Sequence, residues 1–215
     1  MHGWRPVVLS FGLLLGVTGC DSGPSASGNP WYAAASGGAP ADLDAALKSG
    51  ANINDRVYRD RNSPLHVAAI NGNDGAVRFI LANGGNPNAT DEDGRTPLMM
   101  ALHYGKTAAA VALAEGGADL NLRDRGRNTA LMFAARRGQA DAIRAMTARN
   151  VSLNDQNSSG KSALHFAAEA GELETAKLLK GAGASVAVRD HRGRTPYDYA
   201  VAKKHPQIAA LLRGE

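Results

Sequence analysis

The chain has 215 residues and a mass of 22.3 kDa, which suits one compact domain or one short array of repeats. Its formal net charge of +4 and its pI of about 9.4 permit attraction to acidic surfaces, but they do not by themselves indicate nucleic-acid binding. A single cysteine, Cys20, excludes an intramolecular disulfide framework and a cysteine-based zinc site.

An apolar run stands near the start of the chain. Residues 7–17, VVLSFGLLLGV, follow one positive charge at Arg5. The run has the length of a signal-peptide core and is shorter than the roughly 20 residues that a membrane span needs. Small residues then precede Cys20. Two interpretations follow: a signal that ends at a lipidated cysteine, and an ordinary secretory signal that is cleaved elsewhere and leaves an incidental cysteine.

The string VTGC, which ends at Cys20, resembles the lipobox of bacterial lipoproteins. In that family the cysteine thiol takes a diacylglycerol, and the signal is cut just before it. The resemblance implies a signal peptide over residues 1–19 and a protein that a lipid on Cys20 anchors in the bacterial cell envelope, facing the periplasm. It leaves open whether the anchor lies in the inner or the outer membrane. Residues 20–29 are rich in Gly, Ser and Pro, which predicts a flexible tether.

From residue 30 onward the sequence repeats itself. Each unit has an apolar start, small residues three and four positions later and, in most units, a glycine seven positions later. Tyr197 opens the last unit, and Trp31 opens the first with one inserted residue. The starts of the four units between them are 33 residues apart, at Leu65, Leu98, Leu131 and Leu164. A fixed period of this length predicts a stacked-repeat architecture.

These units resemble the ankyrin repeat, whose signature is T-P-L-H-x-A-A. The matching strings are SPLHVAA from Ser63, TPL from Thr96, TAL from Thr129, SALHFAA from Ser162 and TP from Thr195. The resemblance implies an α repeat solenoid of stacked helix-turn-helix units with β-turn fingers over residues 30–215. It implies about six repeats, at residues 30–58, 59–91, 92–124, 125–157, 158–190 and 191–215.

Helix chemistry agrees with that architecture. The Ser or Thr that opens each signature is an N-cap candidate, because its hydroxyl can accept a hydrogen bond from an otherwise unpaired backbone N–H group. We expect the β-turns of the fingers to use glycines, at Gly94, Gly160 and Gly193. In the family, the signature histidine bonds neighbouring backbone, so the resemblance implies structural roles for His66 and His165.

No residue pattern indicates catalysis. The strings GKT at 105–107 and GKS at 160–162 lack the upstream glycine of a phosphate loop, and DEDG at 91–94 lacks the alternating oxygen ligands of a calcium loop. No serine, histidine or carboxylate pair has a catalytic arrangement. We therefore expect a protein that is not an enzyme and has no cofactor and no metal site.

Family members contact their partners through the finger tips and the exposed side of the first helix of each unit. At these positions most charges in the chain are positive, which has two interpretations: solvated tips that keep the array soluble, or a basic groove on the concave face for an acidic protein. On the second interpretation, the predicted partner-binding residues are Arg95, His103, Tyr104, Arg123, Arg125, Arg136, Arg137, Lys161, Arg192 and Arg194.

The predicted function is a monomeric protein–protein interaction scaffold whose protein partner is unknown. Its membrane contact is through the lipid alone, and export argues against nucleic-acid partners. Some exported bacterial ankyrin proteins similar to this one accompany catalases, so the resemblance also implies a support role in oxidative-stress defence. The alternatives are a secreted effector that acts on host proteins and a regulator that acts in trans on an envelope enzyme.

Overall fold

The computed structural model describes residues 29–37, 39–56 and 60–213. The predictions for the signal peptide, Cys20 and almost all of the tether lie outside these residues. The described residues form twelve α-helices. In chain order the helices are α1 (Pro30–Gly37), α2 (Pro40–Lys48), α3 (Pro64–Asn71), α4 (Asp74–Ala82), α5 (Pro97–His103), α6 (Thr107–Glu115), α7 (Ala130–Arg136), α8 (Ala140–Thr147), α9 (Ala163–Ala170), α10 (Leu173–Gly181), α11 (Pro196–Ala202) and α12 (Pro206–Leu212).

The helices form two layers. The first helices of the pairs, from α1 to α11, pack on one another in one row, and the second helices, from α2 to α12, pack in a parallel row. Each predicted repeat range holds one helix pair. The described residues contain no strand, and an isolated bridge joins Arg123 to Thr129. The predicted α repeat solenoid is confirmed.

Three of the first helices begin with the hydroxyl caps that the sequence predicts, but the prediction is wrong for Thr129, which precedes α7 and makes no side-chain cap hydrogen bond. The hydroxyls of Ser63, Thr96 and Thr195 each accept a hydrogen bond from a backbone N–H in the first turn. Proline follows these three caps at the first helical position, where no N–H is needed. Local sequence alone therefore sets where these helices start.

Small side chains let the first helices pack closely. Ala101, Ala134 and Ala167 occupy the same place in three successive units, and each is 0% exposed. Leu131 and Leu164 are also fully buried between the rows. Each unit buries its apolar face only by stacking on its neighbours, so stability comes mainly from nearest-neighbour contacts.

Two series of hydrogen bonds fix neighbouring units in register. On one edge, fingers bond through their backbones, as in Arg125 N–H to the Asp93 carbonyl at 2.9 Å and Ser158 N–H to the Gly126 carbonyl at 2.9 Å. On the opposite edge, the Oδ1 atom of Asn121 accepts the Ser152 N–H at 2.8 Å. Since these bonds recur from unit to unit, the fingers hold fixed positions beside the first helices. None of the helices in the described ranges is long and apolar enough to cross a membrane.

Candidate functional site

The exposed side of the first helices and the fingers together form a continuous surface, which we call the inner face. One row of side chains runs beneath it, with one member at the same place in each of the last five units. Val67 opens the row and is half-buried, and the four members that follow are buried: Met100, Phe133, Phe166 and Tyr199. The aromatic members give the C-terminal half of the inner face a series of rings beneath its charged residues.

A depression of about 340 Å³ lies in the middle of the inner face, lined by His103, Phe133, Arg136 and Arg137. The His103 ring meets two rings edge-on, that of Phe133 at a centroid distance of 5.8 Å and that of Tyr104 at 5.1 Å. Tyr104 is 41% exposed, which is unusual for a large aromatic residue. We call these five residues the basic groove.

The positive charge of the basic groove comes from its arginines. Burial, together with the nearby charges of Arg137, Arg95 and Arg136, holds the pKa of His103 below its ordinary value, so the imidazole is neutral at pH 7. The Arg136 guanidinium lies 5.0 Å from the Phe166 ring centroid, a cation–π distance. Within the described ranges, neither Arg136 nor Arg137 has a carboxylate within ion-pair distance.

The next two units carry a different arrangement, which we call the closed cluster: Lys161, Glu169, Asp190, Arg194 and Tyr199. Lys161 Nζ lies 2.9 Å from a Glu169 carboxylate oxygen and 4.4 Å from the Tyr199 ring centroid. The Arg194 guanidinium pairs with Asp190 at 3.0 Å and also bonds the Tyr199 hydroxyl. The Tyr199 hydroxyl in turn donates to Asp190 at 2.7 Å. Every charge in this cluster therefore has an opposite charge beside it.

Titration in the closed cluster reflects these bonds. Burial alone would raise the pKa of the Asp190 carboxyl, but hydrogen bonds from Tyr199 and from the backbone N–H groups of Arg194 and Arg192 hold that pKa well below its usual range. Burial and the hydrogen bond to Asp190 raise the pKa of Tyr199 to about 12. The cluster thus keeps its charges at neutral pH and satisfies them internally.

The ten residues predicted to bind a partner fall into two groups in the structure. Four are held in ion pairs within the array: Arg95 with Asp93, Arg123 with Asp155, Lys161 with Glu169 and Arg194 with Asp190. The other six are His103 and Tyr104 of the basic groove and four exposed arginines, Arg125, Arg136, Arg137 and Arg192. The structure brings His103, Tyr104, Arg136 and Arg137 together, and their binding role stays a prediction.

Sequence reasoning missed one residue of this surface, Arg127. It lies in the 124–128 finger with φ of 59°, in the left-handed region. Aligning the chain by its period would have found it, because Gly94, Gly160 and Gly193 hold the corresponding place in three other fingers, with φ of 76°, 78° and 76°. The prediction that glycine permits these three turns is confirmed.

The buried histidines have structural contacts, as the resemblance implied. The Nδ1 atom of His66 accepts the Ser63 N–H at 3.1 Å, so its Nε2–H donates to the Arg95 carbonyl at 3.1 Å. Burial lowers the pKa of His66 to about 4. His165 makes the corresponding bonds to Ser162 and Arg194. The described residues contain no group of three His, Cys, Asp or Glu side chains that could hold a metal ion.

Comparison with known proteins gives one family. A family model described as ankyrin repeats, in three copies, matches residues 31–124 and 131–215. These ranges cover most of the chain and contain all five residues of the basic groove. No curated protein matches the chain.

Proposed function

This chain belongs to the ankyrin-repeat family, whose members are generally protein–protein interaction modules, and we propose that it is a non-enzymatic scaffold that binds an acidic protein through its inner face. The observation that supports this proposal is the basic groove. There, Arg136 and Arg137, which have no carboxylate within ion-pair distance in the part of the chain that the structure describes, flank a depression beside an exposed tyrosine.

The chemistry of the basic groove suits a protein surface rather than a small molecule. Tyr and Arg are the residues most often found at the energetic centre of protein interfaces. The guanidinium groups of Arg136 and Arg137 could each bind a partner carboxylate through two parallel hydrogen bonds. The stacked repeats hold these groups in place before binding, so association requires little additional ordering of the array.

The second part of the proposal concerns location. We propose that a lipid on Cys20 tethers the array in a bacterial envelope, facing the periplasm, because the string VTGC follows an apolar run and precedes a Gly/Ser/Pro-rich segment. The intact mass of the mature protein in the membrane pellet tests this. A mass that begins at an acylated Cys20 supports the tether. An unmodified chain in the culture medium would contradict it and would favour the secreted-effector alternative.

The binding proposal is tested by photocrosslinking in the envelope of the native host. A photoreactive phenylalanine analogue replaces Tyr104, which keeps an aromatic side chain in the basic groove. The matched control carries the same analogue at Lys177, an exposed position on α10 in the second row of helices. We expect one crosslinked partner from position 104 and none from position 177. Equal crosslinking from both positions, or none from position 104, would contradict the proposal.

The identity of the captured protein separates the remaining alternatives. An envelope enzyme would favour the role of regulator in trans. A catalase or another enzyme of peroxide defence would favour the oxidative-stress role, which at present rests on the resemblance alone.

A further inference from the structure

Two fingers of the array hold an arginine, Arg61 or Arg127, at the position where three others hold glycine. Arg127 adopts a φ of 59° at the tip of the 124–128 finger. In this region the Cβ atom of an L-residue crowds the following carbonyl oxygen, so glycine is the usual occupant, and Asn or Asp are the usual exceptions. One earlier finger and two later fingers follow this preference, with Gly94, Gly160 and Gly193 in the same place. The arginine therefore carries a backbone penalty that glycine would avoid.

No contact within the described array offsets this penalty. The Arg127 side chain is exposed and forms no hydrogen bond, ion pair or ring contact with any described residue. The hydrogen bonds within the finger form without the Arg127 side chain. The Arg127 N–H bonds the Asp124 carbonyl at 2.8 Å, and the Asp124 side chain accepts the Asn128 N–H at 2.7 Å. A glycine could make the same backbone hydrogen bond, so what the arginine adds is its guanidinium group.

That guanidinium belongs to a local concentration of positive charge. Arg125 lies two residues before it in the same finger, and Arg136 and Arg137 lie at the end of α7 in the same repeat. None of these four arginines has a carboxylate within ion-pair distance among the residues that the structure describes. By contrast, Arg123 at the base of the finger pairs with Asp155 at 2.8 Å. One repeat thus supplies a finger tip and a helix end that are both open to an anion.

We propose that Arg127 is a specificity-determining contact for a carboxylate-rich segment of the partner, which runs from the 124–128 finger into the basic groove. This inference rests on the proposed function and deepens it, because it names the partner's chemistry and a residue that selects for it. A planar guanidinium can bind a carboxylate with two hydrogen bonds, which a lysine at the same place could not do. What distinguishes Arg127 from Arg61, which has the same backbone conformation, is the group of unpaired arginines in its own repeat.

The test compares two variants of the full chain, Arg127→Gly and Arg61→Gly. Arg61 is a matched control, since it has the same charge and a φ of 52° and lies two units earlier. Each variant removes one positive charge and one left-handed arginine. We expect each to raise the midpoint of thermal unfolding, by about 2–4 °C. A rise in stability with a loss of binding is not expected of a residue with a merely structural role.

Binding is measured with a fluorescein-labelled peptide of alternating glutamate and serine, and with its glutamine-for-glutamate counterpart. We expect the wild-type chain to prefer the glutamate peptide by at least about tenfold. Arg127→Gly should weaken that binding by about three- to tenfold, while Arg61→Gly leaves it within about twofold. Arg127→Lys should weaken it as well, although the charge is kept.

Several results would overturn the inference. Equal loss in Arg127→Gly and Arg61→Gly would show attraction by net charge alone. A fall in unfolding temperature for Arg127→Gly would show a structural role. Equal wild-type affinity for the two peptides, or an effect of Arg127→Gly on anionic phospholipid vesicles but not on the glutamate peptide, would exclude the carboxylate-rich partner. If Arg127→Gly alone has no effect while crosslinking from position 104 succeeds, the proposed scaffold function stands and this inference fails.

Discussion

Repeats 125–157 and 158–190 have the same backbone and opposite arrangements of charge. Lys161 and Glu169 form an ion pair across the second of these repeats. The corresponding positions in the first repeat hold Asn128 and Arg136, which cannot form such a pair. The Lys161 charge is therefore paired within the 158–190 repeat, whereas Arg136 and Arg137 of the 125–157 repeat have no carboxylate within ion-pair distance among the described residues.

This difference shows that fold and binding surface are specified by separate positions. The buried leucines and alanines are common to both repeats and set the stacking. Two or three surface positions per repeat then decide whether a charge is satisfied within the array or left for a partner. The following substitutions and pH changes test this contrast, in order of decreasing expected effect.

Asp190→Ala should destabilise the closed cluster most. Asp190 is 6% exposed and accepts hydrogen bonds from the Tyr199 hydroxyl and the Arg194 guanidinium. We expect a loss of roughly 3–4 kcal/mol in the free energy of unfolding, measured by urea denaturation. The control is Asn157→Ala, the corresponding position of the preceding finger, which has no ion pair and should lose about 1 kcal/mol. Equal losses would show that the closed cluster adds nothing beyond ordinary finger bonds.

Acidification should destabilise the repeats that carry a buried histidine. The pKa of His66 is lowered from 6.5 to about 4, so the unfolded chain binds a proton in this range that the folded chain does not. The stabilisation is complete above pH 6.5 and is lost as pH falls to about 4, by roughly 3 kcal/mol. His165 acts in the same direction, because its pKa is also lowered by burial.

The other repeats provide the control for this prediction. The 92–124 and 125–157 repeats have Met99 and Met132 where these histidines stand, and both methionines are buried. His66→Met with His165→Met should therefore fold and should flatten the dependence of unfolding free energy on pH between 4 and 6.5. An unchanged slope in that variant would assign the dependence to other groups.

Introducing an ion pair into the inner face of the 125–157 repeat should weaken partner binding. The double change Asn128→Lys with Arg136→Glu copies the Lys161–Glu169 pair into the 125–157 repeat. We expect the affinity for the glutamate peptide to fall by about 10- to 30-fold, because a guanidinium is lost and a carboxylate faces the peptide. Unfolding free energy should fall by about 1–2 kcal/mol, because Asn128→Lys removes the Asn128 side-chain hydrogen bonds to Asp124 and Asn157. Unchanged affinity would show that Arg136 has no part in binding.

Removing the ion pair from the inner face of the 158–190 repeat is the reciprocal change. It should have the smallest effect on the free energy of unfolding. Lys161→Asn with Glu169→Arg removes a pair whose side chains are 17% and 29% exposed. We expect a loss of about 1 kcal/mol or less in unfolding free energy and tighter binding of the glutamate peptide. If binding does not tighten, the negative charge of the neighbouring Asp190 is sufficient to prevent the glutamate peptide from binding this part of the inner face.

Most of the fold could be predicted from the sequence, because its signals are local or periodic. The caps at Ser63, Thr96 and Thr195 and the finger glycines act within one unit, and the structure confirms them, whereas the predicted cap at Thr129 makes no side-chain hydrogen bond. The 33-residue spacing recurs from unit to unit in the helix pairs. The pairing of charges was not predictable in the same way. Lys161 and Glu169 are eight residues apart, and Arg123 reaches Asp155 in the next unit, so partners depend on how side chains meet after stacking. The left-handed Arg127 was missed because arginine gives no turn signal.

The most direct test of this account is the yield of the position-104 crosslink in two backgrounds, the wild-type chain and the Asn128→Lys, Arg136→Glu variant. Both proteins should reach the same envelope fraction at the same level. The account predicts a strong crosslink to one acidic protein in the wild-type background and a yield reduced by about tenfold or more in the variant. The same yield in both backgrounds would contradict it, because the open arginines of the 125–157 repeat would then have no role in recognition.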